Sequence, residues 1–227
     1  MTLAVTHEPL SALLFQQGGA VAHARFTERS DGDLSSVGSA GLRAVVDRRW
    51  TLLDQVHGAG VVHVDEPGQG SGVAGDVAVT TAFDTAVAVR SADCVPIALL
   101  SEQGPVAVVH AGWRGLVAGV IESAVAALGD CGAVHAVLGP HIGPECYEFG
   151  ADDLEMVVTR YGESARSTTR RGRAALDLGA AVEAALEASG AVSTRLGGCT
   201  SCEIGRYWSH RGRGEESRQG VVVWRTR

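Results

Sequence analysis

The chain contains no lysine and no asparagine. The first absence excludes catalysis through a lysine Schiff base and excludes the lysine-bearing Walker phosphate loop. Every fixed side-chain cation is an arginine, so any phosphate must be met by guanidinium forks, backbone amides, histidine or a metal. Methionine is scarce: Met1 and Met156 are the only two. No run is long and apolar enough to span a bilayer. Met1 to Leu10 places no Lys or Arg ahead of an apolar stretch, so the layout of a secretory signal is missing. These two absences make the cytoplasm the expected location. There is no basic block, and the net charge is −7, which argues against nucleic acid or an anionic membrane as the main partner. A small substrate fits better, and a monomer is expected. The cysteines number five, Cys94, Cys131, Cys146, Cys199 and Cys202. An odd, scattered set is a poor disulfide framework, so reduced thiols are expected.

What is present suits a globular enzyme-sized core. With 227 residues and 45% hydrophobic content, the chain can bury a sizeable interior, and we expect one domain over residues 1–227. The clearest signal is Val106-Ala107-Val108-Val109-His110-Ala111-Gly112-Trp113-Arg114-Gly115, an apolar strand that delivers an imidazole into a glycine-punctuated turn. Helical spacing of Val117, Val120, Ile121, Ala124, Val125 and Leu128 predicts a helix from Leu116 to a stop at Gly129.

Upstream, the pattern predicts strands over 10–15 and 22–26 around a Gln16-Gln17-Gly18-Gly19 turn, a loop over 27–38 and a helix over 41–50. A strand from Leu52 should end in His57, with further strands over 61–64, 76–80, 85–90 and 95–100. Gly70 to Gly75 formally matches the dinucleotide fingerprint G-x-G-x-x-G. Asp76 to Thr80 then alternates like a strand rather than opening a helix, so the match is rejected. Downstream, a strand over 133–138 leads into a Gly/Pro-rigid loop, Asp152 to Glu155 offers a capping box for a helix through Tyr161, and 163–175 reads as exposed loop. Asp177 opens a helix to Ser189, and 220–225 closes as a strand. Strands dominate and helices are inserted among them, which is an α+β layout.

His57, Cys94 and His110 stand at the ends of these strands. Two imidazoles and a thiolate suit zinc, and three protein ligands leave one position open for water or substrate. Spacing alone does not single out this set among the His and Cys residues. Cys199-Thr200-Ser201-Cys202 has ligand or redox spacing, but with no second pair it reads as two packed thiols, with Cys131 and Cys146 structural. The zinc-deaminase signature H-x-E with P-C-x-x-C is absent.

Four stretches carry a resemblance. They are Gln55-Val56-His57-Gly58, Ser91-Ala92-Asp93-Cys94-Val95-Pro96, His110-Ala111-Gly112-Trp113-Arg114-Gly115, and Gly139-Pro140-His141-Ile142-Gly143 through Tyr147-Glu148. In order, they resemble the signatures of the YfiH-like, laccase-domain family, known as multicopper polyphenol oxidases and as purine nucleoside phosphorylases. The resemblance implies a four-layer α/β/β/α sandwich with zinc held by His57, Cys94 and His110, which would also be the catalytic centre. It implies phosphorolysis of adenosine, inosine, guanosine and methylthioadenosine, with adenosine deamination as a second activity. It also implies substrate contacts at Arg48, Arg114 and Tyr147. The chain departs from the family pattern at Thr27 to Gly32, at Asp47-Arg48 and at Ser209-His210-Arg211-Gly212.

Three other readings compete. Copper could replace zinc in a polyphenol oxidase, since His2Cys also describes blue-copper sites, although two methionines and eight histidines are thin provision. Cys94 could be a nucleophile with His57 or His110 as base, in a hydrolase trimming peptidoglycan precursors. The fold could also serve as a metal-stabilised binding protein. For Arg114 the alternatives are a phosphate contact and a structural prop paired with Asp93 or Glu148.

Overall fold

The computed structural model describes residues 4–5, 13–17, 19–35 and 40–227. The chain runs through β1 (Ala4–Val5), β2 (Leu13–Gln17), β3 (Ala20–Phe26), α1 (Ala40–Val45) and β4 (Trp50–Leu52). It continues through β5 (Val61–His63), β6 (Val77–Thr80), β7 (Ala86–Ser91), β8 (Val95–Ser101) and β9 (Val106–Ala111). After α2 (Trp113–Ala118), α3 (Val120–Leu128) and β10 (Val134–Leu138) come α4 (Ala151–Tyr161), β11 (Arg166–Thr168) and β12 (Ala174–Leu176). The last elements are α5 (Leu178–Ala188), β13 (Val192–Arg195), α6 (His210–Arg213) and β14 (Gln219–Thr226).

Two six-stranded sheets result, in the orders β1-β2-β3-β14-β7-β4 and β13-β10-β8-β9-β6-β5. Side chains alternate across a strand, so each central strand can feed two cores. In β7, Val87 and Val89 join the core between the sheets, while Ala86 and Ala88 face the outer side with Val45, Val46, Leu34 and Trp50. In β9, Val106 and Val108 face the same inner core, while Ala107 and Val109 pack against Leu116, Ile121, Val157 and Val182 of the helices. The layers are therefore helix, sheet, sheet and helices, an α+β sandwich as the sequence pattern predicts. Burial on both faces is why β8 and β9 read as unbroken apolar runs rather than as alternating ones.

Several local expectations are corrected. The helix over 41–50 is only α1, and Trp50 already begins β4, paired in parallel with β7. The strand from Leu52 does not reach His57, which lies in a turn at φ 58°. The helix after the His110 strand starts earlier, at Trp113, and is cut into α2 and α3 by Gly119 in the left-handed region at φ 88°. Gly150, not Asp152, caps α4. Residues 163–175 are not all loop, because β11 pairs antiparallel with β12 and Ala165 and Ala175 are buried. Gln16 and Gln17 belong to β2 rather than to a turn. The expectations at 10–12, Gly18 and 36–38 fall outside the described residues. Asp177 caps α5 as expected, accepting from the Ala180 amide at 2.8 Å. The rejected glycine fingerprint leads into β6, not a helix.

Candidate active site and metal centre

The crossing between the two sheets builds the site. β7 lies in the first sheet and β8 in the second, and Ala92, Asp93 and Cys94 carry the chain from one to the other. Register places Val95 opposite Ala111 and Pro96 opposite His110, so Cys94 and His110 arrive at the same sheet end. Gln55 acts as a surrogate strand residue: its side chain accepts from the Arg90 amide at 2.9 Å and donates to the Arg90 carbonyl at 2.8 Å. That clamp swings the adjoining turn, with His57, over the other two residues.

The ligand atoms of His57, Cys94 and His110 all lie within 4.8 Å of one another. His57 Nε2 is 3.9 Å from Cys94 Sγ, and the two imidazoles meet edge-on with centroids 4.8 Å apart. Gly112 makes this convergence sterically feasible, since a Cβ there would sit 3.0 Å from both Cys94 Sγ and His57 Cδ2.

Asp76, whose sequence neighbours mark it only as the start of a strand, organises the set. Its fully buried carboxylate accepts from His110 Nδ1 at 2.8 Å and from the amides of His57 and Gly58 at 3.1 and 2.7 Å. Burial alone would raise the Asp76 carboxyl, but the hydrogen bonds from His110 and these amides hold it below the ordinary carboxylate range. With Nδ1 engaged, His110 presents Nε2 to the site. Burial also pushes the Cys94 thiol up, yet the adjacent His110 and His57 bring it down to about 6. His110 is held in the opposite sense: burial lowers it, while the Cys94 charge and the Asp76 bond raise it to about 9. A thiolate and two imidazoles, one oriented by a carboxylate, are a donor set that fits zinc with an open position.

Backbone strain concentrates here. His57 and Asp93, neither a glycine, take positive φ values of 58° and 105°. Asp93 is held by Thr200 Oγ1 and by the Arg211 amide, each donating at 2.6 Å.

Above these residues opens a cleft of about 920 Å³, within the usual span for small-molecule sites. One wall is aromatic: Trp113 meets Phe149 edge-on at 5.4 Å, and Phe149 meets Tyr147 at 5.1 Å. Four arginines also line it, namely Arg90, Arg114, Arg211 and Arg218. Among the described residues none of the four has a carboxylate within ion-pair distance. Arg114 lies over the Trp113 ring at 4.4 Å and Arg211 over the Tyr147 ring at 5.3 Å. The prop partners considered for Arg114 are taken: Asp93 as above, and Glu148 by Arg173 at 3.1 Å.

Of the residues expected at the site, His57, Cys94, His110, Arg114 and Tyr147 line the cleft. Arg48 does not. It precedes β4, whose Trp50 pairs with Ala86, the far end of β7 from Ser91, and it pairs with Asp84 at 3.1 Å. In the sequence Asp76, Arg90 and Arg218 carry no local signal of their distant partners, whereas Arg211 falls in the divergent stretch Ser209-His210-Arg211-Gly212. Nor are Cys199 and Cys202 a lone pair of packed thiols, because Cys146 and Glu145 join them in a second group.

The family model for multi-copper polyphenol oxidoreductase laccase matches residues 38–226. The chain belongs to this laccase-domain family, and proteins named YfiH are among its relatives. It is 38% identical over 185 residues to a purine nucleoside phosphorylase of Xylella fastidiosa strain Temecula1, covering 76% of this chain and 70% of that protein. It is 33% identical over 180 residues to adenosine deaminase RL5 of an unknown prokaryote, covering 74% and 64%. The crystal structure of YlmD from Geobacillus stearothermophilus superposes with a TM-score of 0.80 at 25% identity over the whole of both chains. No helix among the described residues is long and apolar enough to cross a membrane.

Proposed function

We propose that this protein is a zinc-dependent purine nucleoside phosphorylase acting on adenosine, inosine, guanosine and methylthioadenosine, with adenosine deamination as a second activity. The observation that carries the reading is the union, in one cleft, of a His57-Cys94-His110 donor set, an aromatic wall and four arginines that have no carboxylate partner among the described residues. The names of the relatives from Xylella and of RL5 support the substrate class.

His57, Cys94 and His110 would hold the zinc, which would supply Lewis-acid polarisation of a bound substrate oxygen. The protein's own groups do the rest. Phosphorolysis joins a phosphate oxygen to the anomeric carbon as the bond to the purine nitrogen breaks, so it requires a fixed anion beside a fixed base. Arg114 and Arg211 offer forked donors for the phosphate. Tyr147, Phe149 and Trp113 offer ring surface to the purine. Asp76 holds His110 with Nδ1 engaged and Nε2 toward the site.

A multicopper centre would need further imidazoles. Among the described residues the other candidate metal group holds three thiols and a carboxylate, and Met156 is exposed on α4 rather than in the cleft. The depressed Cys94 thiol favours one second reading, a cysteine nucleophile. One assay separates them: incubation with a nucleoside panel, with and without phosphate and chelator. Phosphate-dependent release of free base that chelation stops and zinc restores is the expected result. Turnover that persists without metal and leaves a covalent adduct on Cys94 would overturn it.

A further inference from the structure

We propose a second metal site, structural and built for zinc or a similar thiophilic dication, formed by Cys146, Cys199, Cys202 and Glu145. It is separate from the His57, Cys94 and His110 group and does not rest on the nucleoside reading.

The ligand atoms of these four residues lie within 4.8 Å of one another, and all four side chains are half-buried. Cys146 and Cys202 sulfurs are 3.4 Å apart, and Cys202 Sγ is 3.2 Å from Glu145 Oε1. Ligands at about 2.3 Å from a tetrahedral zinc are about 3.8 Å from each other, so the Cys146 and Cys202 sulfurs, 3.4 Å apart, need to part by only about 0.4 Å to admit such an ion. Cys199 and Cys202 supply the short two-residue spacing typical of zinc turns, and Cys146 and Glu145 enter from a loop more than fifty residues upstream.

The surroundings suit thiolates around a cation. The Gly143 amide donates to Cys199 Sγ at 3.1 Å, and Arg170 Nη2 donates to Cys202 Sγ at 3.2 Å. Three thiolates and a carboxylate over-neutralise a dication, and Arg170 sits where the excess falls. Gly143 matters sterically, because a Cβ there would collide with the Glu145 carboxylate as it turns back toward the sulfurs. A disulfide accounts for less of this. Joining Cys146 to Cys202 would strand Cys199 and leave the carboxylate beside an uncharged bond, whereas a closed four-ligand site uses every group.

The site staples two walls of the cleft. Tyr147 comes directly after Cys146. The 199–202 turn bridges to His141, and Thr200 and Arg211 share the two oxygens of Asp93. A metal here would hold Tyr147 and Arg211 in place without touching substrate.

The test uses the full chain, reduced and loaded with zinc, in a Cys94→Ala background that removes the thiolate of the first site. We expect about one equivalent of zinc per chain to remain, and cobalt(II) in its place to show sulfur-to-metal charge-transfer absorption. Adding Cys199→Ser or Cys146→Ser should abolish both. Should a variant fail to fold, the wild type decides: bound zinc should protect Cys146, Cys199 and Cys202 from alkylation, read residue by residue by mass spectrometry. Absence of zinc from the Cys94→Ala protein, equal alkylation with and without zinc, or a Cys146–Cys202 disulfide formed in the presence of zinc would overturn the proposal.

Discussion

Asp76 and His110, 34 residues apart, form a buried pair in which His110 Nδ1 donates to Asp76 Oδ1 at 2.8 Å. The same carboxylate holds the backbone of the His57 turn, so one side chain positions two of the three proposed metal ligands. Replacement by asparagine would put an amide donor where donors already converge. Asp76→Asn is expected to weaken zinc binding about 10- to 100-fold and to cost about 3–5 kcal/mol of stability, as for breaking other buried pairs. Competition with a chromophoric chelator and denaturant unfolding would check both; unchanged zinc affinity would remove Asp76 from its positioning role.

Metal binding should also release protons in a pH-dependent way. In the metal-free protein Cys94 is lowered to about 6 and His110 raised to about 9, so between these values the pair is thiolate and imidazolium. Zinc requires thiolate and neutral imidazole, so its binding near neutral pH should expel about one proton, from His110. Release should fall toward zero above pH 9 and increase below pH 6, where Cys94 must also ionise. Calorimetry in buffers of different ionisation enthalpy reads this directly. By the same shifts, the stability of the metal-free protein should lose the Cys94 contribution as pH falls through about 6. It should lose the His110 contribution as pH rises through about 9.

Arg114 tests the anion side of the cleft. With Asp93 and Glu148 otherwise engaged, its guanidinium rests on Trp113 and not on a carboxylate. Loss of a charge-assisted hydrogen bond costs about 1.5–3 kcal/mol, so Arg114→Ala should raise the phosphate KM roughly 10- to 100-fold. Zinc content and melting temperature should stay close to wild type. A fall in melting temperature with unchanged phosphate kinetics would make Arg114 a prop instead.

Gly112 is predicted to be intolerant of even one methyl group. The added Cβ would press on Cys94 and His57 at 3.0 Å, spreading the donors while leaving both sheets intact. Gly112→Ala should lose zinc under dialysis that the wild type withstands, with an unchanged far-ultraviolet circular dichroism spectrum. Full zinc retention would show that the turn can yield.

By itself, the sequence determined what depends on neighbours along the chain. The runs that become β8 and β9, the cap at Asp177, and the strand-to-turn delivery of His110 are local patterns of apolarity and turn chemistry, and they are present in the structure. The grouping of His57, Cys94 and His110 was legible only through the resemblance, because three separate segments supply one residue each. Tertiary structure alone decided the rest. Asp76 and Asp54 look alike as single acidic residues, yet Asp54 is exposed while Asp76 is enclosed by the Val56, His57 and Gly58 amides and the His110 imidazole. Arg48 and Arg90 both lie near strand ends, but pairing register sends one to Asp84 and the other to the cleft. Cys146 meets Cys199 and Cys202 because the 139–148 loop pairs with the late turn at His141 and Cys199. Such contacts are fixed by sheet register and layer packing, which depend on the whole hydrophobic pattern at once and leave no mark on a charged or thiol residue's own neighbours.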